Sequence, residues 1–353
     1  MPSQHDTGSL CDVDGVLVGH HQRTDRGWQT GTTVIMVPDG AVCAVDVRGG
    51  GPGTRETDAL AAGNLVDRVH AICLTGGSAY GLAAADGVMA ELERRRLGVP
   101  VGPDPDHVVP VVPTAVIFDL GRGGVFANRP AAAFGARALQ AASRTDARGT
   151  VGAGTGAHAG GLQGGVGMAS VRVPVGDDVA TIATVSALAV VNAAGCLIDP
   201  ISAAPWTPHP AVRRPTPSDR AVWRSWVQST SAETGPPSLN TTIGVVATDV
   251  DLSRPEAGRL AMSAHDGLGR SIRPAHGLTD GDAVFALSTG RLPLPEDSTG
   301  LVRSAASRAV HLNALAAAAA DAFALACTDA IVHADAIGDV PSYLRLCPGA
   351  RRT

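Results

Sequence analysis

From Val179 to Ile198 the chain runs through twenty residues without one charged side chain. Such a run must be buried either in lipid or in the protein's own core. It contains Thr181, Thr184, Ser186, Asn192 and Gly195, is rich in β-branched residues, and is bordered by Asp178 and Asp199 rather than by arginine. Two buried strands account for it better than a lipid-facing helix. The rest of the chain can supply the surrounding core. It has 353 residues, 44% of them hydrophobic and 17% charged, which excludes a disordered polymer.

Residues 31–37 and 41–47 are short β-rich runs separated by Pro38-Asp39-Gly40, a spacing that reads as a hairpin. Ser78 to Arg96 has helical periodicity through Leu82, Ala85, Met89 and Leu92. Val108 to Phe118 is apolar but interrupted by Pro110 and Pro113, so it reads as an edge strand or as two pieces. Ala131 to Ser143 reads as a helix. Gly165 to Val173 and Val179 to Val191 read as strands divided by Pro174-Val175-Gly176-Asp177. Residues 201–239, with Pro205, Pro208, Pro210, Pro215, Pro217, Pro236 and Pro237, read as an exposed connector. It holds one short helix near Trp223 and Trp226. Thr242 to Val250 and Ala283 to Ser288 then read as strands, and Pro255 to Leu268 and Ser304 to Ile331 as helices. This mixed order favours an α+β fold with antiparallel-type sheets covered by helices over a regular βαβ alternation.

The composition narrows the chemistry. All 28 basic residues are arginine. There is thus no Schiff-base lysine, no P-loop lysine, no Ser–Lys dyad and no lysine base, and arginine does not deprotonate in their place. A net charge of −5 with thinly spread arginines, and 3% aromatic residues, leaves no footprint for a nucleic-acid partner. Cys11, Cys43, Cys73, Cys196, Cys327 and Cys347 form no CxxC pair and read as small buried hydrophobes. Met1 to Leu10 is polar, without the basic and apolar regions of a secretory signal. A soluble cytoplasmic protein without a membrane partner is expected.

The eleven histidines form no HExxH or His-x-His, and Asp280-Gly281-Asp282 does not continue as a calcium loop, so neither a metal nor a cofactor is expected. Gly152, Gly154 and Ala157 satisfy a loose G-x-G-x-x-A pattern without a clearly placed acidic partner. Close backbone packing or an anion-lined pocket is the better use of these glycines. Arg48-Gly49-Gly50-Gly51-Pro52-Gly53-Thr54 lacks the Gly-Lys-Ser/Thr of a P-loop. Gly76-Gly77-Ser78-Ala79-Tyr80-Gly81 is offset by one position from a nucleophile elbow, so Ser78 reads as a helix N-cap.

The segment Leu239-Asn240-Thr241-Thr242-Ile243-Gly244 has three readings. It is a glycosylation sequon, which requires secretion. It is also a loop end followed by a strand. Thirdly, the Thr241 hydroxyl at a strained junction can attack the preceding carbonyl. An N→O acyl shift and hydrolysis would then cut between Asn240 and Thr241. The new α-amine, with an intrinsic pKa of about 8, could take the proton from its own hydroxyl. In a lysine-free chain without a visible triad this is the available route to an activated hydroxyl.

The chain resembles the DmpA family, the L-aminopeptidase/D-esterase group that includes β-aminopeptidases and nylon-oligomer hydrolases. Blocks matching this family run in order almost from end to end: Asp12–His20, Arg48–Asp58, Leu74–Leu82, Ala115–Asp119, Gly152–Ala157, Val190–Gly195, Asn240–Gly244 and Ala264–Leu268. The resemblance implies a single domain folded as a four-layer α/β/β/α sandwich, related in its layers to N-terminal-nucleophile hydrolases. It implies autoprocessing into 1–240 and 241–353, with Thr241 as the nucleophile. Asn192 matches the asparagine that holds the oxyanion, and Asp280 and Asp282 match the acidic pair near the nucleophile and its amine. Phe118, Gly152 and Gly154 are expected at the substrate pocket. Phe118 stands where several relatives have tyrosine, and Gly161 where some carry lysine. The implied activity is hydrolysis of a small peptide or amide substrate, without a cofactor, in a homo-oligomer such as a tetramer of cleaved protomers. An acyltransferase of the ornithine-acetyltransferase kind and an uncleaved, non-catalytic scaffold are the alternatives.

Overall fold

The computed structural model describes residues 7–175, 181–231, 239–294 and 308–352. Gly176-Asp177 of the expected turn, Pro236 and Pro237 of the connector, and positions 304–307 of the expected last helix lie outside these ranges. The sheet strands are β1 (Leu17–Arg23), β2 (Thr30–Val47), β3 (Thr54–Arg55), β4 (Arg68–Thr75), β5 (Thr114–Val116), β6 (Gly165–Pro174), β7 (Ile182–Asn192), β8 (Thr241–Val250) and β9 (Ala283–Leu292). The longer helices are α1 (Ala84–Arg94), α2 (Ala132–Gln140), α3 (Pro217–Ser231), α4 (Arg254–Ser271) and α5 (Arg308–Val332). The sheet order is β6-β7-β8-β9-β2-β4-β5-β3, with β1 also on β2. Pairings β8–β9 and β4–β5 are parallel, and the others are antiparallel.

Three stacked cores show the four layers. Val34, Met36, Ala71 and Cys73 pack against α1 and α2. Ile35, Val37, Val166, Leu188, Ile243 and Phe285 meet in a central core between two sheet layers. The alternate residues of the same strands, among them Ala187, Val246 and Val284, pack against α4 and α5. Strand alternation thus gives every sheet layer one helix-facing and one sheet-facing side.

The layers are joined by β2, and here the structure corrects the expected hairpin. Residues 30–47 form one continuous strand that keeps β4 along one edge, with a register shift between Met36 and Ala41. On its other edge it exchanges β1, paired to residues 30–36, for β9, paired to residues 42–47. Pro38-Asp39-Gly40 is therefore a bulge within a bent strand. The same residue types serve a turn and a bulge, because both need a missing ladder donor and a flexible φ.

Other expectations need smaller adjustments. The described part of the uncharged run, 181–198, holds one strand, β7, followed by a loop, rather than two strands; positions 179 and 180 lie outside the described residues. The apolar run 108–118 does split at its prolines, into Val108–Val109 and Thr114–Val116. The stretch expected as an exposed connector is partly core in its described portion. Ala203, His209 and Trp223 are buried, and α3 spans fifteen residues. Its tryptophans carry too much apolar surface to be left in solvent. Helix α5 is long and apolar enough to cross a bilayer, yet 78% of its most apolar window is buried inside the molecule.

One buried ionic cluster pins the layers. The Asp329 carboxylate, on α5, accepts from the Met168 amide at 2.9 Å and pairs with His209 and His333 at 3.0 Å and with Arg148 at 3.3 Å. Burial alone would raise the Asp329 pKa, but the two imidazoles and the guanidinium hold it well below the usual carboxylate range. For His333, burial works downward, and the hydrogen bond and charge of Asp329 outweigh it and raise its pKa. The Asp329 contribution is therefore present above the unfolded carboxylate value and lost as pH falls towards its depressed pKa. The His333 contribution is full below pH 6.5, its unfolded value, and fades as pH rises through its raised pKa. Asp329→Asn is expected to cost about 3 kcal/mol. The penalty of His333→Gln should be larger at pH 5.5 than at pH 9. Urea unfolding at the two pH values checks both, and an equal His333→Gln penalty at both would contradict the assignment.

Candidate active site

Strand register brings the motif residues together. Asn192 ends β7, Thr241 begins β8, and the two are Cα partners. Directly opposed residues of antiparallel strands share a face, with Cβ atoms about 5 Å apart. Because β8 and β9 are parallel neighbours, the residues just before β9 lie beside the start of β8, and Asn240 bridges to Asp280. Asn192, Asn240, Thr241, Asp280 and Asp282 are all buried.

The Thr241 hydroxyl donates to the carbonyl of Asn240. The same carbonyl accepts the Gly281 amide at 3.1 Å. A Cβ at Gly281 would sit 2.8 Å from Thr241 Oγ1, so glycine is what lets this amide lie against the hydroxyl. The Arg48-Gly49-Gly50-Gly51 run backs the acidic loop. Arg48 and Gly49 amides donate to the Asp282 carbonyl at 2.9 and 3.2 Å, and the Gly51 amide to that of Asp280 at 2.8 Å. A Cβ on Gly49 would come within 2.3 Å of the Asp282 nitrogen.

The two aspartates are held differently. Asp282 accepts the Thr242 amide through Oδ1 at 2.7 Å and pairs through Oδ2 with His276 Nδ1 at 2.8 Å. Asp280 accepts the Gly277 amide through Oδ2 at 2.7 Å, while its buried Oδ1 has no hydrogen bond among the described residues. Burial pushes the Asp280 carboxyl above its usual pKa. The amides of Gly277 and Ala194 oppose that shift and the Asp282 charge adds to it.

Asn192 is oriented by groups that no sequence motif announced. Its Oδ1 accepts from Arg122 and from the His158 amide at 3.0 Å, and its Nδ2 donates to the Phe118 carbonyl at 3.3 Å. This fixes which end of the carboxamide carries the donors, and the Phe118 carbonyl takes one of its two N–H groups. Arg122 also donates to the Gly156 carbonyl. Burial lowers the Arg122 pKa to about 10, and the Asp119 charge opposes that shift. Burial, helped by the Arg122 charge, pushes His158 down to about 3, so His158 is neutral and unsuited to act as a base near neutral pH. Asp119 is raised to about 6 by burial, although Thr30 and the Gly77 amide stabilise its anion. Arg122→Leu is expected to lower kcat about tenfold or more, the scale of a lost charge-assisted hydrogen bond, with a smaller change in KM. Steady-state kinetics on a small amide checks this, and an unchanged kcat would remove Arg122 from the site's support.

A cavity of about 170 Å³ opens onto Asn240 and Thr241, with Gly53, Ser78, Phe118 and Leu239 among its walls. Phe118 is among the walls of this cavity. Gly152 and Gly154 do not line it and are corrected to packing positions. A Cβ on Gly152 would meet Thr33 Oγ1 at 2.3 Å, and one on Gly154 would meet the Gly165 backbone at 2.5 Å. Ser78 lines the cavity at the start of a one-turn helix, where it makes no cap hydrogen bond because Gly77 is the cap residue.

The residues in place are a hydroxyl on a polarised carbonyl, a fixed amide donor and two carboxylates, a set suited to acyl chemistry. Away from this site, His209, Asp329 and His333 offer ligand atoms within 4.8 Å of one another. The Arg148 guanidinium at 3.3 Å from the Asp329 carboxylate already supplies the positive charge there, so the set fits an ion-pair cluster better than a cation.

The model of peptidase family S58 matches residues 8–341. An uncharacterized aminopeptidase of Mycobacterium tuberculosis is 46% identical over 352 residues, covering 97% of this chain and 98% of the relative. A 6-aminohexanoate-oligomer endohydrolase of Paenarthrobacter ureafaciens is 35% identical over 302 residues, covering 80% and 76%. Among solved structures, the L-aminopeptidase D-Ala-esterase/amidase from Ochrobactrum anthropi, described as a variant of the Ntn hydrolase fold, superposes with a TM-score of 0.70. The identity is 21%, with 100% of this chain and 98% of that one covered. A Burkholderia β-aminopeptidase superposes with a TM-score of 0.69 at 23% identity, covering 98% and 94%.

Proposed function

The chain belongs to peptidase family S58 and is a hydrolase of amide or peptide bonds, and we propose that it works through Thr241 after cutting itself between Asn240 and Thr241. The observation that carries this reading is the Thr241 hydroxyl lying against a carbonyl already held by the Gly281 amide.

In the precursor, Thr241 Oγ1 adds to the Asn240 carbonyl carbon, and the Gly281 N–H takes the developing negative charge on oxygen. The C–N bond breaks, the nitrogen gains a proton, and an ester links Asn240 to the Thr241 oxygen. Water hydrolyses that ester to an Asn240 carboxylate and a free Thr241. The new ammonium needs an acceptor, and the unfilled Oδ1 of Asp280 supports a role in receiving it.

In turnover, the neutral α-amine takes the hydroxyl proton as Oγ1 attacks the substrate carbonyl. The Asn192 N–H left over from Phe118 stabilises the oxyanion, and the amine then protonates the departing nitrogen. Water releases the acyl group by the same route. Asp282, locked to the Thr242 amide and His276, holds the start of β8 in place. The 170 Å³ cavity supports short peptides, amino-acid amides or linear amide oligomers with small or unbranched acyl groups. The same proposal includes a homo-oligomer of cleaved protomers.

Acid-quenching the enzyme during turnover of a small ester, followed by peptide mass analysis, tests the covalent step. The acyl group is expected on the fragment beginning with Thr241. An acyl group on Ser78 or any other side chain would overturn the assignment.

A further inference from the structure

A second, larger cavity of about 520 Å³ has walls that include Trp206, Trp223, Trp226 and Arg273. Three of the four tryptophans of an aromatic-poor chain converge there. The cavity lies close in the chain to the catalytic groups. Ala194 and Gly195, which line it, come two and three residues after Asn192, and the Ala194 amide opposes the upward shift that burial gives the Asp280 carboxyl. Cys196, the next wall residue, exchanges backbone hydrogen bonds of 2.9 and 3.1 Å with Arg273.

The aromatic walls are set in place. The Trp206 indole N–H donates to the Cys196 carbonyl at 3.1 Å. Trp223 is fully buried, and its ring centroid lies 4.9 Å from that of Trp226. Trp226 lies over Gly161, where an added Cβ would come within 3.1 Å of the indole. The space beside Gly161 is thus taken by an apolar ring. Arg273 stacks on Trp206, 4.0 Å from the ring centroid, and is exposed. Among the described residues no carboxylate lies within ion-pair distance of it. Asp199, on the loop that leads to Trp206, is engaged by the Ile201 amide at 3.0 Å and the Ser202 hydroxyl at 2.7 Å.

We propose that this cavity is a substrate subsite for an apolar or aromatic residue carrying a free carboxylate, the carboxyl-terminal end of a peptide or amide substrate. The indole faces supply flat apolar walls. Stacking orients the guanidinium and leaves its edge N–H groups for a bidentate carboxylate. The volume suits one or two residues. The catalytic consequence rests on the reading of Thr241 as the nucleophile, whereas binding in the cavity does not.

The test uses full-length Thr241→Ala, in which substrate cannot be consumed, and intrinsic tryptophan fluorescence, which reports directly on these walls. The probes are the dipeptide Ala-Phe and its carboxyl-terminal amide. Ala-Phe is expected to change the emission saturably and to bind about tenfold or more tightly than the amide, the scale of one charge-assisted contact. In the Thr241→Ala/Arg273→Met double variant that ratio should fall close to one, and in Thr241→Ala/Trp226→Ala both ligands should weaken together. Equal binding of acid and amide to Thr241→Ala, or an acid preference that survives Arg273→Met, would overturn the subsite. If the ratios hold but the wild-type protein hydrolyses neither probe nor any longer peptide, the Thr241 reading fails and the subsite stands. If hydrolysis proceeds through Thr241 with no acid preference, the subsite fails and the nucleophile stands.

Discussion

Under denaturing conditions the purified wild-type protein is expected to separate into two species that join at Asn240 and Thr241, and Thr241→Ala into a single chain of 35.6 kDa without hydrolase activity. The expectation follows from two contacts at one carbonyl. The Thr241 hydroxyl reaches it from the residue that would become the new amino terminus, and the Gly281 amide holds its oxygen at 3.1 Å. Thr241→Ser keeps a hydroxyl at the same place and should still cleave. Gly281→Ala would put a methyl group against Thr241 Oγ1, where a Cβ has only 2.8 Å, and should slow cleavage severely. Intact mass over several days reads all four proteins. A wild-type chain that stays whole would leave Thr241 without a free amine and end the proposed mechanism. A Thr241→Ala protein that still divides would place the cleavage chemistry elsewhere.

The second large effect is expected at Asn192. Removing one oxyanion donor typically costs 10²–10³ in kcat. Asn192→Ala also takes one acceptor from the half-buried Arg122 guanidinium, so lost activity could reflect lost folding. Asn192→Asp separates the two effects. Its carboxylate can pair with Arg122 and accept the His158 amide, but it offers no N–H to an oxyanion and adds negative charge there. The protein should therefore fold, with kcat lowered by about 10³ or more. It should also still cleave itself, because the Gly281 amide, rather than Asn192, faces the Asn240 carbonyl. A cleaved, folded and inactive Asn192→Asp protein is the expected result, read by mass, thermal melting and steady-state kinetics. Full activity would remove Asn192 from the oxyanion site. An uncleaved chain would mean that one donor set serves both reactions.

Much of the sheet was legible in the sequence because burial on both faces leaves an unmistakable pattern. β7 and β8 are nearly continuous apolar runs, and each was expected within a few residues of its observed span. Helices α4 and α5 were also expected, the latter from its alanine-rich composition. The bent strand β2 was not legible. Pro38-Asp39-Gly40 satisfies the local rules for a turn, and only the edge of β4, continuing past both halves, makes it a bulge. The connector was misjudged for a related reason. Proline frequency speaks of local chain geometry, whereas the burial of Trp223 depends on a surface formed by distant elements.

The candidate site divides along the same line. Asn240 and Thr241 stand in a short motif with a chemical reason for their residue types, and Asn192, Asp280 and Asp282 came with the family resemblance. These identities, the absence of lysine and the glycine between the two aspartates are properties of the sequence alone. Their meeting is not. Asn192 reaches Thr241 because β7 and β8 pair in one register, and a slip of one residue would turn each side chain to the opposite face. Arg122 and His158 have no telling spacing in the chain, and they become positioning groups only where the fold presses them against the Asn192 carboxamide. Gly152 and Gly154 show the converse, a motif-like spacing that the fold uses for close backbone packing. Residue chemistry is local and can be read from a string, but distances between remote residues and the burial that shifts their pKa values arise only when the layers close.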